Sequence, residues 1–169
     1  MAIEKKIKEF REIIDASRKP VMFFDTDTDG LTSYLILKKK YSKIKGHSLS
    51  IDPLKQKDAS LKVDSDTDLV IVFDIPVLSD EFLDNLKDKT ILWMDHHKLE
   101  DAEKVEKYKI NYLNPLEYDS EDNRPASYFA YLVCNDKDFL DLAVLGSIAD
   151  FFLLDIIREL YKYDEEKIK

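Results

Sequence analysis

A chain of 169 residues has the length of one ordinary domain, and 44% hydrophobic residues are enough for a packed core. A single cysteine, Cys134, excludes an internal disulfide and a cysteine-based zinc cluster, which predicts a reducing, cytoplasmic environment. The net charge of −9 argues against broad attraction to polyanions, although bound divalent cations would offset it locally, and no apolar run is long enough to cross a membrane.

The first part of the chain alternates between helical and strand patterns. Apolar residues at three- and four-residue spacings predict an amphipathic helix over residues 2–16. Short apolar runs predict strands at 21–24, 69–73 and 91–94, and each run stops at an aspartate. Helices are predicted over about residues 31–43 and after Ser79, which is a favourable N-cap residue.

Weaker patterns complete the prediction of the fold. Further strands are expected at 49–54 and 110–113, and helices from Pro125 onward, before a charged tail at 162–169. Fully apolar strands that alternate with helices are typical of a parallel sheet covered on both faces. We therefore predict one doubly wound α/β domain over residues 1–169, with a mainly parallel sheet of about five strands flanked by helices.

Asp25, Asp27 and Asp29 alternate directly after the first predicted strand. An extended segment would direct all three carboxylates to one side, where they repel one another unless divalent cations are shared among them. An acidic turn is the simpler alternative. An EF-hand loop requires glutamate at its twelfth position, where this chain has Ile36. On this segment alone, a phosphatase of the haloacid dehalogenase kind stays open.

The third strand ends in Asp95-His96-His97, which contains two of the three histidines of the chain. Imidazole beside carboxylate suits Mn²⁺, Fe²⁺ or Zn²⁺, whereas aspartyl-phosphate chemistry does not need it. The remaining histidine, His47, lies in a stretch rich in Lys, Gly and Ser and is predicted to be solvated. The motif therefore favours a metal-dependent enzyme.

Four segments in this order resemble the motifs of the DHH phosphoesterases: FDTDTDGLTS (24–33), IVFD (71–74), MDHH (94–97) and LGSIAD (145–150). The resemblance covers about residues 20–155. The first segment is most similar to the RecJ-type exonucleases, in which aspartate stands at the leading position that many relatives fill with histidine.

The resemblance implies a centre of two Mn²⁺ ions, with Mg²⁺ as an alternative. One implied ligand set is Asp25, Asp27 and Asp74, and the other is Asp29, Asp74, His96 and Asp150, so that Asp74 bridges. Asp95 would orient the site, and His97 would contact the scissile phosphate. Asp150 lies between apolar residues of a helical segment, where an acid must be exposed, capped or paired.

Three further residues are predicted to bind substrate. Thr32 and Ser33 would stand in the first turn of a helix whose amide groups face the crevice. Arg124 lies in a loop before Pro125 and could bind a phosphate, although an arginine of this kind is more often a plain surface residue.

The resemblance implies a phosphodiesterase that acts on single-stranded DNA or RNA, as the catalytic subunit or half of a RecJ-like exonuclease of DNA replication or repair. The DHH-associated second domain is expected to be absent from this chain. Three explanations stay open: the chain is the catalytic half of a longer protein, a separate chain carries the second domain, or the substrate is small enough to need none. If the second domain exists, it is expected to be markedly basic. Residues expected to contact it are Phe151, Phe152, Leu153, Tyr161 and Tyr163. Two alternatives stay open: a phosphoesterase for pyrophosphate, dinucleotides or oligoribonucleotides, and a non-catalytic replication or repair scaffold.

Overall fold

The computed structural model describes residues 2–100 and 102–152, which form an α/β domain. The helices are α1 (Ala2–Ala16), α2 (Thr28–Lys40), α3 (Pro53–Ser60), α4 (Asp80–Leu86), α5 (Ala102–Lys107), α6 (Ala126–Cys134) and α7 (Leu140–Ala149). The strands are β1 (Pro20–Phe24), β2 (Lys45–Ser48), β3 (Leu69–Phe73), β4 (Thr90–Met94) and β5 (Asn111–Leu113). Short 3₁₀ helices lie at Pro115–Glu117 and Lys137–Phe139.

All five strands pair in parallel, in the order β2-β1-β3-β4-β5. The chain leaves β1 toward one edge of the sheet and then returns past β1 to form β3. In parallel sheets of this kind, ligands bind beyond the carboxyl ends of the strands at the point where the strand order reverses. The predicted doubly wound α/β fold is confirmed. Because the strand order reverses between β1 and β3, a ligand site is expected at the carboxyl ends of these two strands.

The two faces of the sheet carry separate hydrophobic clusters, because alternate side chains of a strand point to opposite faces. Helices α1, α2, α6 and α7 pack on one face, against side chains such as Met22, Ile71 and Phe73. Helix α4 packs on the other face, against Phe23 and Trp93. Strands β1 and β3 are buried on both faces, which explains why their sequences are continuously apolar.

Capping residues fix where the helices begin. Asp27 precedes α2 and accepts a hydrogen bond from the Gly30 amide at 2.9 Å, while Ser79 accepts one from Phe82 at the start of α4. Helix α1 instead gains its stability from an apolar stripe, formed by Ile7, Phe10 and Ile14. Among the helices that the structure describes, none has both the length and the apolar character that a membrane crossing requires.

The prediction of a strand at 49–54 is wrong. The strand β2 lies just before it, and α3 begins within it at Pro53, behind the cap that Asp52 provides to the Leu54 amide. Because β2 is an exposed edge strand with mostly polar residues, no apolar run marks it in the sequence. The predicted tail at 162–169 and the proposed contact residues Leu153, Tyr161 and Tyr163 lie outside the described residues.

Candidate metal centre

The acids predicted to be functional stand at the carboxyl ends of neighbouring strands. Asp25 follows β1, Asp74 follows β3 and Asp95 follows β4, and these three strands are adjacent in the sheet. Backbone hydrogen bonds continue past the ends of the strands. The Asp74 amide donates to the Met94 carbonyl, and the Asp95 amide donates to the Leu113 carbonyl. The sheet itself therefore holds these residues at one edge.

Asp74 is buried at the centre of this cluster, with 1% of its surface exposed. Its backbone has a φ of 60°, in the left-handed region that aspartate tolerates better than most residues. Its Oδ2 atom has no hydrogen-bond partner among the described residues. Burial, together with the negative charges of Asp29 and Asp27, raises the pKa of Asp74 to about 10. A buried carboxylate with an unpartnered oxygen is costly unless a cation or proton neutralises it.

Asp29 is fully buried and links α2 to α6. Its two carboxylate oxygens accept hydrogen bonds from the amides of Ala126, at 2.7 Å, and Ser127, at 2.9 Å. Helix α6 needs this contact because its own N-cap, Pro125, provides no side-chain acceptor. Burial raises the pKa of Asp29, although the hydrogen bonds from Ser127 act in the opposite direction.

The imidazole of His96 joins acids from three separate segments. Its Nε2 atom lies 3.1 Å from Asp150 Oδ2, 3.3 Å from Asp74 Oδ1 and 4.0 Å from Asp29 Oδ2. Asp150 reaches this position as the C-cap residue, directly after α7. Burial also raises the pKa of Asp150, while the neighbouring His96 lowers it.

The donor atoms of this cluster fit a divalent metal ion. Atoms from Asp29, His96 and Asp150 lie within 4.8 Å of one another, and so do atoms from Asp74, His96 and His97. Mixed carboxylate and imidazole donors suit Mn²⁺ and related ions. The unpartnered Asp74 oxygen, which faces no hydrogen-bond donor in the described part of the chain, is the independent observation that supports this fit.

Asp95 holds His97 rather than joining the cluster. Its carboxylate is buried and accepts a hydrogen bond from the His97 amide at 3.0 Å, and its Oδ1 lies 2.9 Å from His97 Nδ1. This contact raises the pKa of His97. Because Nδ1 is engaged and 46% of the side chain is exposed, Nε2 is left to meet a ligand.

The other two acids of the first motif differ from Asp29. Asp27 is exposed and caps α2, and its charge raises the pKa of both Asp74 and Asp150, so it lies near the cluster. Asp25 is half-buried, and its carboxylate accepts a hydrogen bond from the amide of Thr26 at 2.6 Å. Of the three acids in this motif, Asp29 is therefore buried, whereas Asp25 and Asp27 are more accessible.

Two of the predicted substrate-binding residues lie inside the protein. Helix α2 begins at Thr28, earlier than predicted, because Asp27 caps it. The buried Thr32 hydroxyl donates to the backbone carbonyls of Thr28, at 2.8 Å, and Asp29, at 3.1 Å. Ser33 is fully buried, with no partner for its hydroxyl among the described residues. Neither side chain is accessible to a substrate in this structure, so its geometry does not support the predicted substrate-binding role of these two residues.

Arg124 is engaged within its own loop. Its Nε and Nη2 atoms donate to the carboxylate of Asp122 at 2.8 Å and 2.5 Å, and the guanidinium lies over the rings of Tyr128 and Phe129. The hydrogen bond to Asp122 raises the pKa of Arg124. Asp122 thus engages the Nε and Nη2 donors of Arg124, and this geometry does not support the prediction that Arg124 binds substrate.

Sequence reasoning missed Asn114, which follows β5 as aspartates follow β1, β3 and β4. It is buried, and its Nδ2 donates to the His97 carbonyl and to the Tyr112 hydroxyl, both at 2.7 Å. Its Oδ1 accepts a hydrogen bond from Leu116 at 2.9 Å. Asn114 therefore fixes the loop that carries both histidines. The signal available in the sequence was a polar residue directly after an apolar strand.

Gly146 allows α7 to approach the helices that carry the site. A Cβ atom at this position would lie 2.3 Å from the hydroxyls of both Ser127 and Thr32. These hydroxyls belong to buried residues of α6 and α2. A glycine is therefore required for the close approach that brings Asp150, four residues later, to His96.

Comparison with protein-family models gives a match for residues 20–150, to the model described as the N-terminal domain of the DHH family. Comparison with curated protein sequences gives no significant match. The family match covers most of the chain and includes every acid and histidine of the cluster.

Solved structures with the same fold include two RecJ proteins bound to manganese. The chain matches RecJ from Thermus thermophilus with a TM-score of 0.68 and 18% identity, over 86% of this chain and 24% of that one. It matches another exonuclease RecJ with a TM-score of 0.72 and 17% identity, over 96% of this chain and 46% of that one.

A third structure is the DHH domain of a member of a ribosomal protein family, with a TM-score of 0.74 and 19% identity. That match covers 98% of this chain and 48% of the other. The chain thus spans less than half the length of each of these three structures. At such low identities, the likeness concerns the fold.

The raised pKa values predict how metal and pH together affect stability. The pKa of Asp74 is about 10 in the folded state and 3.8 in the unfolded state. At pH values between these two, the native state therefore binds one proton more than the unfolded state. Without metal, the free energy of unfolding should fall as the pH rises through this range. Mn²⁺ binding requires the deprotonated carboxylates. The increase in Tm caused by Mn²⁺ should therefore be larger at about pH 8 than at about pH 6.

Thermal unfolding in EDTA and in Mn²⁺ measures this effect. An Asp150→Asn variant should lose most of the Mn²⁺-dependent increase in Tm, whereas Asp141→Asn, in the same helix but exposed, should keep it. A Tm that is insensitive to Mn²⁺ in the wild-type protein would contradict the metal assignment.

Gly146→Ala should separate α7 from α2 and α6, because the added Cβ collides with two buried hydroxyls. Overpacking of this kind costs about 1–3 kcal/mol in the free energy of unfolding. The same displacement moves Asp150, so Mn²⁺ affinity should fall as well. Denaturant unfolding and calorimetric titration with Mn²⁺ measure the two effects. Ala149→Ser adds one heavy atom at an exposed site of the same helix and should change neither.

Proposed function

The chain belongs to the DHH family, and on that premise we propose that it is a two-metal phosphodiesterase acting on single-stranded nucleic acid. Membership of this family, together with the RecJ fold, indicates a metal-dependent phosphoesterase. The finer proposal concerns the number of ions, the substrate and the role of each residue. It rests above all on the buried carboxylate of Asp74, which has an unpartnered oxygen and a His96 nitrogen 3.3 Å away.

We assign the metal-binding residues as two sets that share one acid. Asp29, Asp74, His96 and Asp150 would hold one ion, and Asp25, Asp27 and Asp74 would hold the other. Two Mn²⁺ or Mg²⁺ ions, when bound there, would supply an activated water and neutralise the phosphoryl oxygens. The position of Asp74 at the middle strand of the three supports its role as the shared ligand. Its burial would hold the two sets of ligands in a fixed position relative to each other.

The remaining residues act on the substrate and on the orientation of the site. We propose that His97 contacts the scissile phosphate through Nε2, since Asp95 engages Nδ1 and raises the pKa of the ring. A protonated imidazole would stabilise the charge that develops on the phosphoryl oxygens. Asp95 positions His97, and Asn114 positions the loop from the other side.

Single-stranded DNA or RNA is the proposed substrate because the fold is that of exonuclease RecJ. The chain spans 46% of that structure, so we propose that a further domain, or a separate chain, completes the grip on the substrate. Phe151, with 90% of its surface exposed at the end of α7, is a suitable contact for it. Phe152 is half-buried and lies beside Tyr128, with ring centroids 6.3 Å apart.

Asp74→Asn tests the proposed reaction while preserving the shape and the tolerance for a left-handed backbone. The loss of its charge should reduce Mn²⁺-dependent hydrolysis of an end-labelled single-stranded oligonucleotide to the background rate. Asp141→Asn, an exposed acid outside the cluster, should retain full activity. Unchanged hydrolysis by the Asp74 variant would contradict the two-metal assignment. Cleavage of pyrophosphate or dinucleotides alone would contradict the proposed substrate.

The two adjacent histidines should respond differently to the same substitution. His97→Gln should lower kcat by about 10²–10³-fold while bound Mn²⁺ is unchanged, as expected for the loss of one donor that stabilises the reacting phosphate. His96→Gln should instead lower the Mn²⁺ content, because it removes a nitrogen within 3.3 Å of Asp74 and Asp150. Elemental analysis and steady-state kinetics measure these effects. Equal loss of metal in both variants would contradict the assignment of His97.

A further inference from the structure

A cavity of about 700 Å³ lies at the β2 edge of the sheet, apart from the acidic cluster. Its floor is formed by apolar side chains of β1, including Val21 and Phe23. Helix α3 and the turn after it form one wall, and the segment before β1 forms one end. Cavities of this size are large enough for an organic ligand. None of the proposed metal ligands lines this cavity.

Most of the charged side chains that line this cavity are basic, although the whole chain is acidic. Its lining contains six basic and two acidic side chains, in a protein with a net charge of −9. The basic residues are Arg18, Lys19, Lys43, Lys45, Lys55 and Lys62, and the acidic residues are Asp58 and Asp64. We call this feature the basic groove. A local excess of positive charge on an acidic protein is typical of a surface that binds an anionic ligand.

Some of these cations have structural partners and others do not. Lys43 donates to the Ile14 carbonyl at 3.1 Å and thereby caps α1. Lys19 pairs with Asp66, and Lys45 pairs with Asp64 at 3.5 Å. The side chains of Lys55 and Lys62 are exposed, and neither has a described hydrogen bond or ion pair within residues 2–100 and 102–152. These two lysines are therefore available to a ligand.

The basic groove extends toward the metal centre. Pro20, the first residue of β1, and Thr26, two residues beyond the end of β1, both line it. Thr26 directly follows the proposed ligand Asp25. Five strand residues span roughly 16 Å, at about 3.3 Å for each residue. The groove is thus long enough to follow an extended polymer rather than to hold a single phosphate group.

An aromatic side chain adds a second feature that suits a nucleotide. The exposed imidazole of His47 lies in the groove, with its ring centroid 5.9 Å from that of Phe23. Rings that line a positively charged groove can stack against the bases of a single strand, whatever their sequence. Duplex DNA has no such exposed base faces, so the combination favours a single strand.

We propose that the basic groove binds the phosphate backbone of a single-stranded nucleic acid whose end is at the metal centre. This inference rests on the proposed function and adds the path of the strand, along β1 on the α3 side of the sheet. Lys55 and Lys62 contact phosphates, and His47 contacts a base. The groove explains how an acidic chain retains a polyanionic substrate.

Binding of a fluorescein-labelled single-stranded oligonucleotide tests this path. Fluorescence anisotropy is measured in Ca²⁺ without Mn²⁺, so that binding is measured separately from Mn²⁺-dependent hydrolysis. The double variant Lys55→Glu/Lys62→Glu should weaken binding by at least tenfold. Because it removes two lysine–phosphate pairs, the slope of log K against log salt should become shallower by about 1.4, since each such pair on a single strand adds about 0.7. His47→Ala should weaken binding with little change in this slope, because stacking releases no counterions.

The matched control is Lys5→Glu/Lys57→Glu, which changes the charge equally at exposed positions outside the groove, one of them also on α3. It should bind like the wild-type protein, and thermal unfolding verifies that each variant is folded. Equal weakening in both double variants, or no binding of the oligonucleotide by the wild-type protein, would overturn the proposal. If the wild-type protein fails to hydrolyse the oligonucleotide in Mn²⁺, the proposed function fails while the comparison of binding still stands.

Discussion

Repulsion among buried carboxylates is the constraint on which the rest of this structure depends. Asp29 and Asp74 are almost completely excluded from water, and Asp150 meets them through the same histidine. Such a cluster is unfavourable unless protons or cations neutralise it. The surrounding protein partly compensates, through the amides of α6 and the imidazole of His96. The Oδ2 atom of Asp74 has no described donor, so its negative charge is left for a metal ion to neutralise.

The architecture and most of the cluster could be predicted from sequence, because the signals were local. Apolar runs that end in aspartate identified β1, β3 and β4, and the sheet brings their ends together. The edge strand β2 gave no such signal, since its exposed face carries polar residues. The burial of Thr32 and the role of Asn114 depend on contacts with α7 and with the histidine loop. Contacts between distant segments are not encoded in a local pattern.

Asp29 shows how one residue can serve both stability and chemistry. It lies 97 residues before Ala126 in sequence, yet it provides the N-terminal cap that Pro125 cannot provide to α6. Gly146 then lets α7 pack against the same helices and bring Asp150 to the site.

The basic groove lies on the opposite side of the sheet from helices α2, α6 and α7, near α3. The acidic site and the basic surface are therefore built from separate layers, which meet at the carboxyl end of β1.

Anomalous diffraction from a crystal soaked in Mn²⁺ tests the central claim most directly, because it locates the ions without reference to any activity. One peak is expected among Asp29, Asp74, His96 and Asp150. A second peak is expected on the side of Asp25 and Asp27, with Asp74 between the two. A map with no peak at these strand ends, in a crystal whose protein has this fold, would contradict the account.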